Sequence, residues 1–306
     1  MGILCVGSVA LDSVRTPSGE RTEALGGSAT FFSMCASFFA PVDIVAVVGD
    51  DFPPGAIELL KSRGIGLAGL EKRPGRTFRW KGEYSWDLNE ARTLATELNV
   101  FERFAPVIPA ALRSCEWVFL GNIDPVLQGQ VLDQMERPRL VAADTMNFWI
   151  TGKPAELSRV LGRVDLLFVN DAEARQLAGE SNIVKAVRAI RGMGPKIVCV
   201  KRGEYGALLF LPDHGNGTDF FAVPALPIDE VLDPTGAGDS FAGGFVGALA
   251  AAGRVDGDTL RRAAVLGSAM ASFAVEDFGL DRLRRLGGDE ISGRRDLFAR
   301  LMGIGA

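Results

Sequence analysis

The stretch Asp233–Phe245, DPTGAGDSFAGGF, puts two glycines and then an aspartate in what reads as the first turn of a helix. Backbone N–H groups at a helix N-terminus have no partner inside the helix, and the helix dipole favours negative charge there. Gly236 and Gly238 let that backbone approach an oxyanion with no Cβ in the way. Asp239 follows at once, under two opposed influences: exposed amides depress its pKa, and a bound phosphate nearby raises it. An ionised carboxylate beside amides that grip a moving phosphoryl group suits phosphoryl transfer. The acid accepts the proton of an attacking alcohol while the amides stabilise charge on the transferred group. A plainer reading makes Asp239 a helix-terminal acid placed by the dipole alone. A dinucleotide-binding turn fits poorly, because that fingerprint follows the first strand and wants a third glycine where Phe241 stands.

Composition removes most other chemistries. The 306 residues are 47% hydrophobic and 23% charged, with a net charge of −5 and both signs mixed along the chain, so no nucleic-acid or membrane surface is advertised. The one histidine, His214 in PDHGNGTD, cannot build a histidine-based zinc site and is a poor member of a Ser/His/Asp triad. The four cysteines are scattered without a CxxC pair, and Cys5 and Cys199 lie in apolar runs as buried, inert thiols. The N-terminus carries no cationic leader, and Val6 stands where a myristoylation signal wants Ser or Thr. The longest apolar run is broken by Pro41 and Asp43 into helix, turn and strand. The expected location is the cytoplasm.

Elements must now be found to position the turn. Strand-like runs such as ILCVGSV, DIVAVVGD, EWVFLGN, RLVAADT, DLLFVND and KIVCVKR alternate with helical patterns. Short continuous apolar strands between helices signal an α/β fold with a mostly parallel sheet covered on both faces. From Asp233 onward the pattern is almost all helical, with Gly253 and Gly279 as stops and small residues at 242–244 and 247–248 suited to close packing on the sheet. Residues 11–25 read as a hairpin turning at Pro17–Gly19, and 76–101 as twisted strands with exposed aromatics; together they predict a small β-sheet lid. No linker divides the chain, so 1–306 is expected to be one domain. Ligands of such sheets bind outside the carboxyl ends of the strands. Asp144, and Asn122 or Asp124, fall at such ends and are candidate sugar-hydroxyl ligands.

Five stretches then carry a resemblance. DPTGAGDSFAGGF looks like the C-terminal signature of the ribokinase-like (PfkB) carbohydrate kinases, and LGGSATFFS is similar to their Gly-Gly signature. VGSVALD resembles their first strand, which ends in a substrate-binding aspartate; NDAEA resembles their N-x-x-E motif; VKRGEYGALL resembles the strand-turn-strand before the nucleotide site. All five stand in the family's order across nearly the whole chain. The resemblance implies a ribokinase-like three-layer sandwich and an ATP- and Mg²⁺-dependent kinase of sugar-like alcohols. It implies Asp239 as catalytic base and Gly236, Ala237 and Gly238 as anion hole, with Asp12, Gly26 and Gly27 on substrate hydroxyls. It further implies Asn170 and Glu173 on Mg²⁺, its waters and the phosphates, with Lys201, Gly203, Gly206 and Thr235 at the nucleotide end. Asp233 would help hold a monovalent cation, K⁺ in some members. Without the family, Asn170 and Glu173 also read as a plain helix cap.

One departure bears on substrate. Where many members place a polar Asn after the Gly-Gly pair, this chain has Phe31, expected at the ligand. Phe148, Trp149, Phe78, Trp80, Tyr84 and Trp86 add aromatic surface suited to stacking on sugar or base rings. The expectation is a pocket wide enough for a nucleoside, a larger sugar or a carbohydrate mimic such as acarbose, which some relatives of the family phosphorylate. A ketodeoxygluconate-type acid would need cations, for which only Arg79, Lys81 and Arg92 are near. A sugar-sensing protein on the same fold would show a degraded base or anion hole, and both are intact. An apolar lid face and open lid edge suggest a homodimer.

Overall fold

Apolar runs rich in β-branched residues form the strands of a central sheet, seen in a computed structural model that describes residues 2–212 and 220–303. His214 lies outside the described residues. Seven strands run parallel in the order β5 (Gly66–Lys72), β4 (Val42–Val48), β1 (Ile3–Val6), β8 (Trp117–Leu120), β9 (Leu140–Asp144), β10 (Leu166–Asn170) and β11 (Ile197–Lys201). Antiparallel β12 (Ala207–Phe210) and β13 (Phe220–Val223) finish one edge.

Strand residues alternate between two cores, as the two-residue period of a pleated sheet requires. Leu166, Phe168, Ile197 and Cys199 face the layer of α1 (Ser28–Ala36), α2 (Pro54–Ser62), α8 (Ala237–Ala252), α9 (Gly257–Ala274), α10 (Asp281–Arg285) and α11 (Gly288–Leu301). Leu167, Val169, Val198 and Val200 face α3 (Pro125–Gln134), α4 (Asn147–Gly152), α5 (Pro154–Leu161), α6 (Asp171–Ala178) and α7 (Ile183–Met193). The result is the three-layer α/β sandwich expected. Cys5, Cys35 and Cys199 are buried free thiols and Cys115 is half-buried. Among the described residues no helix is long and apolar enough to cross a membrane.

Helix α8 carries the site, and its packing differs from the expectation. Phe241 and Phe245, one turn apart, meet Phe168 of the sheet at ring-centroid distances of 6.2 and 5.4 Å. The small residues face neighbouring helices instead: a Cβ on Gly243 would stand 2.3 Å from the Phe32 carbonyl of α1, and one on Gly244 2.7 Å from Met270 of α9. Aromatics therefore fill the wide gap to the sheet while glycines bring the helices close. Gly253 does end α8 in a left-handed conformation, but α9 ends at Ala274, before Gly279. Two strands escaped the sequence reading. β5 is an edge strand with two glycines and little fully buried surface, and β13 is an exposed edge strand of four residues.

The second sheet has the order β3 (Gly19–Gly26), β2 (Ala10–Thr16), β6 (Phe78–Tyr84), β7 (Ala91–Glu97), with β2 and β6 parallel and the outer pairs antiparallel. Register sets Asp12 beside Trp80 and Val14 beside Gly82, so Asp12, Trp80, Gly82 and Tyr84 share one face. The other face is not apolar. Arg15 pairs with Glu83, Arg92 with Glu83 at 3.3 Å, and Arg79 with both Glu23 and Asp51 at 2.8 Å.

Candidate active site

The anion-hole turn is shaped by what lies beneath it. Gly236 caps α8 with φ 75, a left-handed conformation that favours glycine. A Cβ there would come within 2.3 Å of the Phe31 ring. Phe31, expected at the ligand, is 1% exposed and packs its ring against the backbone of this turn. A benzene ring can floor a backbone turn that a hydrated asparagine would leave loose.

Asp233, expected near a monovalent cation, is 1% exposed and accepts the Thr235 amide at 2.8 Å and the Gly279 amide at 3.0 Å. Both oxygens are thus engaged by protein donors, and the residue acts as a brace between two loops. Burial raises its pKa against the pull of those bonds.

On the substrate side, Asp12 is 7% exposed and accepts the Gly27 amide at 3.3 Å. A Cβ on Gly26 would sit 2.0 Å from the Asp12 carboxylate, so the first glycine of the pair clears room for the acid. Ser8 and Ser28 exchange amide-to-hydroxyl bonds of 3.1 and 3.0 Å beneath them and fix the hinge. Burial, then the charges of Asp233 and Asp239, push the Asp12 carboxyl up to about 7 against the Gly27 hydrogen bond.

Asp239 stands in the first turn of α8. Its pKa is pushed up to about 7 by burial and then by Asp144, with Lys201 pulling the other way. The expectation that bare amides would keep it low is not met: removal from water and the like charge of Asp144 raise it. Asp144 and Lys201, at the ends of β9 and β11, form a nearly dry ion pair of 2.7 Å, exposed 7% and 18% at their side chains. Asp144, expected on a sugar hydroxyl, is held in this pair by Lys201. The ammonium lies 2.9 Å from where Gly238 would carry a Cβ, against the glycine turn rather than in solvent. Burial works against its charge, but Asp144 and Glu173 outweigh it and the Lys201 pKa is raised.

Asn170 and Glu173 form a reciprocal capping box at the start of α6, with bonds of 2.8 and 2.7 Å. Burial and Asp144 push Glu173 up to about 7, while Lys201 and the Asn170 amide lower it. The cap therefore also belongs to the charge cluster.

The other candidates divide. Asn122 accepts the Trp149 indole N–H at 3.0 Å, while Asp124 caps α3 and pairs with Lys153, so both are bound locally. Gly203 and Gly206 form the turn between β11 and β12. Thr235 Oγ1 lies 3.3 Å from the hydroxyl of Tyr84, a contact no local pattern discloses. Trp80 lies flat over Gly82, whose Cβ would fall 2.2–3.0 Å from its ring carbons, and its indole N–H donates to Thr93 at 3.1 Å.

The N-terminal turn of α8, in which the Ala237 amide donates to the Pro234 carbonyl at 3.2 Å, holds an acid of near-neutral pKa, and a second acid, Asp12, lies near enough to feel its charge; together they form the candidate site. Residues 3–283 match the pfkB family carbohydrate kinases, and the chain belongs to that family. It is 29% identical over 254 residues to a cytidine kinase of Thermococcus kodakarensis, covering 80% of this chain and 87% of that one. It is 33% identical over 298 residues to a nucleoside kinase of Methanothermobacter thermautotrophicus, covering 90% of each. Among solved structures, a putative ribokinase II of E. coli in complex with ATP and Mg²⁺ superposes with a TM-score of 0.78 at 19% identity, covering 96% of this chain and 99% of that one.

The protein is thus a phosphotransferase with an alcohol acceptor, of a family that uses ATP with Mg²⁺. The residues fit such a donor. The Lys201 ammonium lies 2.9 Å from where a Cβ on Gly238 would sit, a cation placed beside the glycine turn. Thr145 Oγ1, beside Asp144, is buried without a hydrogen-bond partner among the described residues, as a polar group awaiting a bound group would be.

Proposed function

We propose that the protein is an ATP-dependent nucleoside kinase, transferring the γ-phosphoryl group to a hydroxyl of the nucleoside's sugar. The observation that carries this reading is Trp80: an indole pressed flat on Gly82, pinned by Thr93 and in register beside Asp12. It offers a planar base a rigid stacking face next to a carboxyl suited to ribose hydroxyls. The names of the two relatives above support the same substrate class. A carboxylate sugar acid finds weaker support, because Arg79 already pairs with Glu23 and Asp51, and Arg92 with Glu83.

In this mechanism Asp12 orients the acceptor through its hydroxyls. Asp239, in its ionised form, takes the proton of the attacking hydroxyl. The amides of Gly236 and Gly238 hold the oxygens of the transferred group, with Ala237, whose amide donates to the Pro234 carbonyl at 3.2 Å, shaping the turn between them, and Lys201 faces them. Mg²⁺, held near Asn170 and Glu173, would neutralise phosphate charge when bound. Asp233 keeps the turn in shape.

A transfer screen with ATP and Mg²⁺ tests the reading against cytidine and other nucleosides, ribose, fructose, ketodeoxygluconate and acarbose. Nucleosides are expected to lead in kcat/KM by about 100-fold. Trp80→Ala should raise the nucleoside KM about 10-fold, the scale of one lost base-stacking contact, while the ATP KM stays put. A free sugar that outperforms every nucleoside defeats the proposal.

A further inference from the structure

Tyr84 ends β6 and reaches out of the lid. Its hydroxyl stands 3.3 Å from Thr235 Oγ1, on the segment that leads into the anion hole. Burial first, then the charges of Asp233, Asp12 and Asp239, raise its pKa, so the phenol keeps its proton among three carboxyls. The amide of Thr235 is already held by Asp233. From the tip of the β2–β3 hairpin, Thr16 donates to the Leu232 carbonyl at 2.8 Å and Ser18 to the Val231 carbonyl at 3.2 Å. Two separate parts of the lid therefore grip the chain between 231 and 235. At the tip of the β6–β7 hairpin, Asn89 Oδ1 comes within 2.7 Å of the place a Cβ on Gly203 would take.

We propose that Tyr84 is a positioning residue that latches the closed lid to Thr235, making closure over the acceptor and the setting of the anion-hole turn a single event. The proposal rests on the kinase reading of the 236–239 turn. The physical case is one of linkage. An opening lid removes the Tyr84 contact and loosens the Thr16 and Ser18 contacts, leaving Asp233 as the brace. The turn that holds the phosphoryl group then relaxes while water has access, and transfer to water is suppressed until an acceptor fills the cleft.

Two near-isosteric variants test it, Tyr84→Phe and Thr235→Val, each removing one hydroxyl. Amide hydrogen exchange on the ligand-free protein is expected to rise about 5-fold, the scale of one lost hydrogen bond, in both 78–97 and 233–238. Exchange that quickens in the lid alone overturns the latch. With the acceptor found for the wild type, ATP hydrolysis relative to transfer should rise several-fold in each variant. The double variant should be no worse than either single one, and effects that multiply also overturn the proposal. A wild type that phosphorylates no nucleoside sinks the functional reading alone, because the exchange experiment still decides the latch.

Discussion

Asp239 and Asp12, both pushed up to about 7, give activity and stability opposite dependences on pH. A general base must be ionised, so kcat/KM should climb as pH rises through about 7 and level off above it. Lys201 is the group that pulls Asp239 down, and Lys201→Met should carry the rising limb upward by about one pH unit. A pH–rate profile reads this directly, and an unmoved limb contradicts the assignment. Stability has the opposite sense. A carboxyl raised in the folded state favours the protonated protein, so its contribution is present below the ordinary carboxylate range and is lost as pH rises through about 7. Asp239→Asn should therefore melt higher than the wild type at pH 8, by ~2 °C for each kcal/mol relieved. The same variant should lose roughly 10²–10⁴-fold in transfer and keep ligand affinity, as calorimetry would show.

At the scale of elements, the glycines around the cleft make two contrasting predictions. Gly26→Ala forces a Cβ into the Asp12 carboxylate, so the acceptor KM should rise about 10-fold, near 1.4 kcal/mol, with the ATP KM unchanged. Gly236→Ala strains a left-handed turn and strikes Phe31; kcat should fall about 10²–10³-fold, as when one oxyanion donor is misplaced. Steady-state kinetics distinguish the two. The same comparison tells what the sequence disclosed. The glycine turn that opens α8, with Asp239 in its first turn, and the Asp12–Gly26–Gly27 corner were legible as local structure because each is written within a few neighbouring residues or along one hairpin. The parallel sheet was legible because its strands are continuous apolar runs. What stayed hidden depends on tertiary direction. Phe31 looked like a ligand contact because its place in the motif says nothing of which way α1 turns its ring. Lys201 and Asp144 lie 57 positions apart, and Tyr84 and Thr235 151 apart, so no spacing rule joins them. β5 and β13 lacked the apolar run because edges need only one good neighbour.

At the scale of the molecule, the lid's charged outward face makes face-to-face burial against a second copy costly, and its individual ion pairs add little stability. The open edge is β7, exposed along its whole length. The homodimer expected from the sequence would form by strand addition there, and light scattering across a range of concentrations reads it. The parallel pairing of β2 with β6 has a further consequence. Two strands that run side by side in the same direction cannot be joined by a tight turn; here β3, α1, β4, α2 and β5 are threaded between them. The acceptor's cover is therefore not a detachable module. Its two halves pair across a long stretch of chain that includes β4 and β5 of the main sheet, a contact of high sequence separation of the kind that slows folding. Nor can it be exchanged with that of another kinase as a cassette, so changes of substrate in this scaffold must come one side chain at a time.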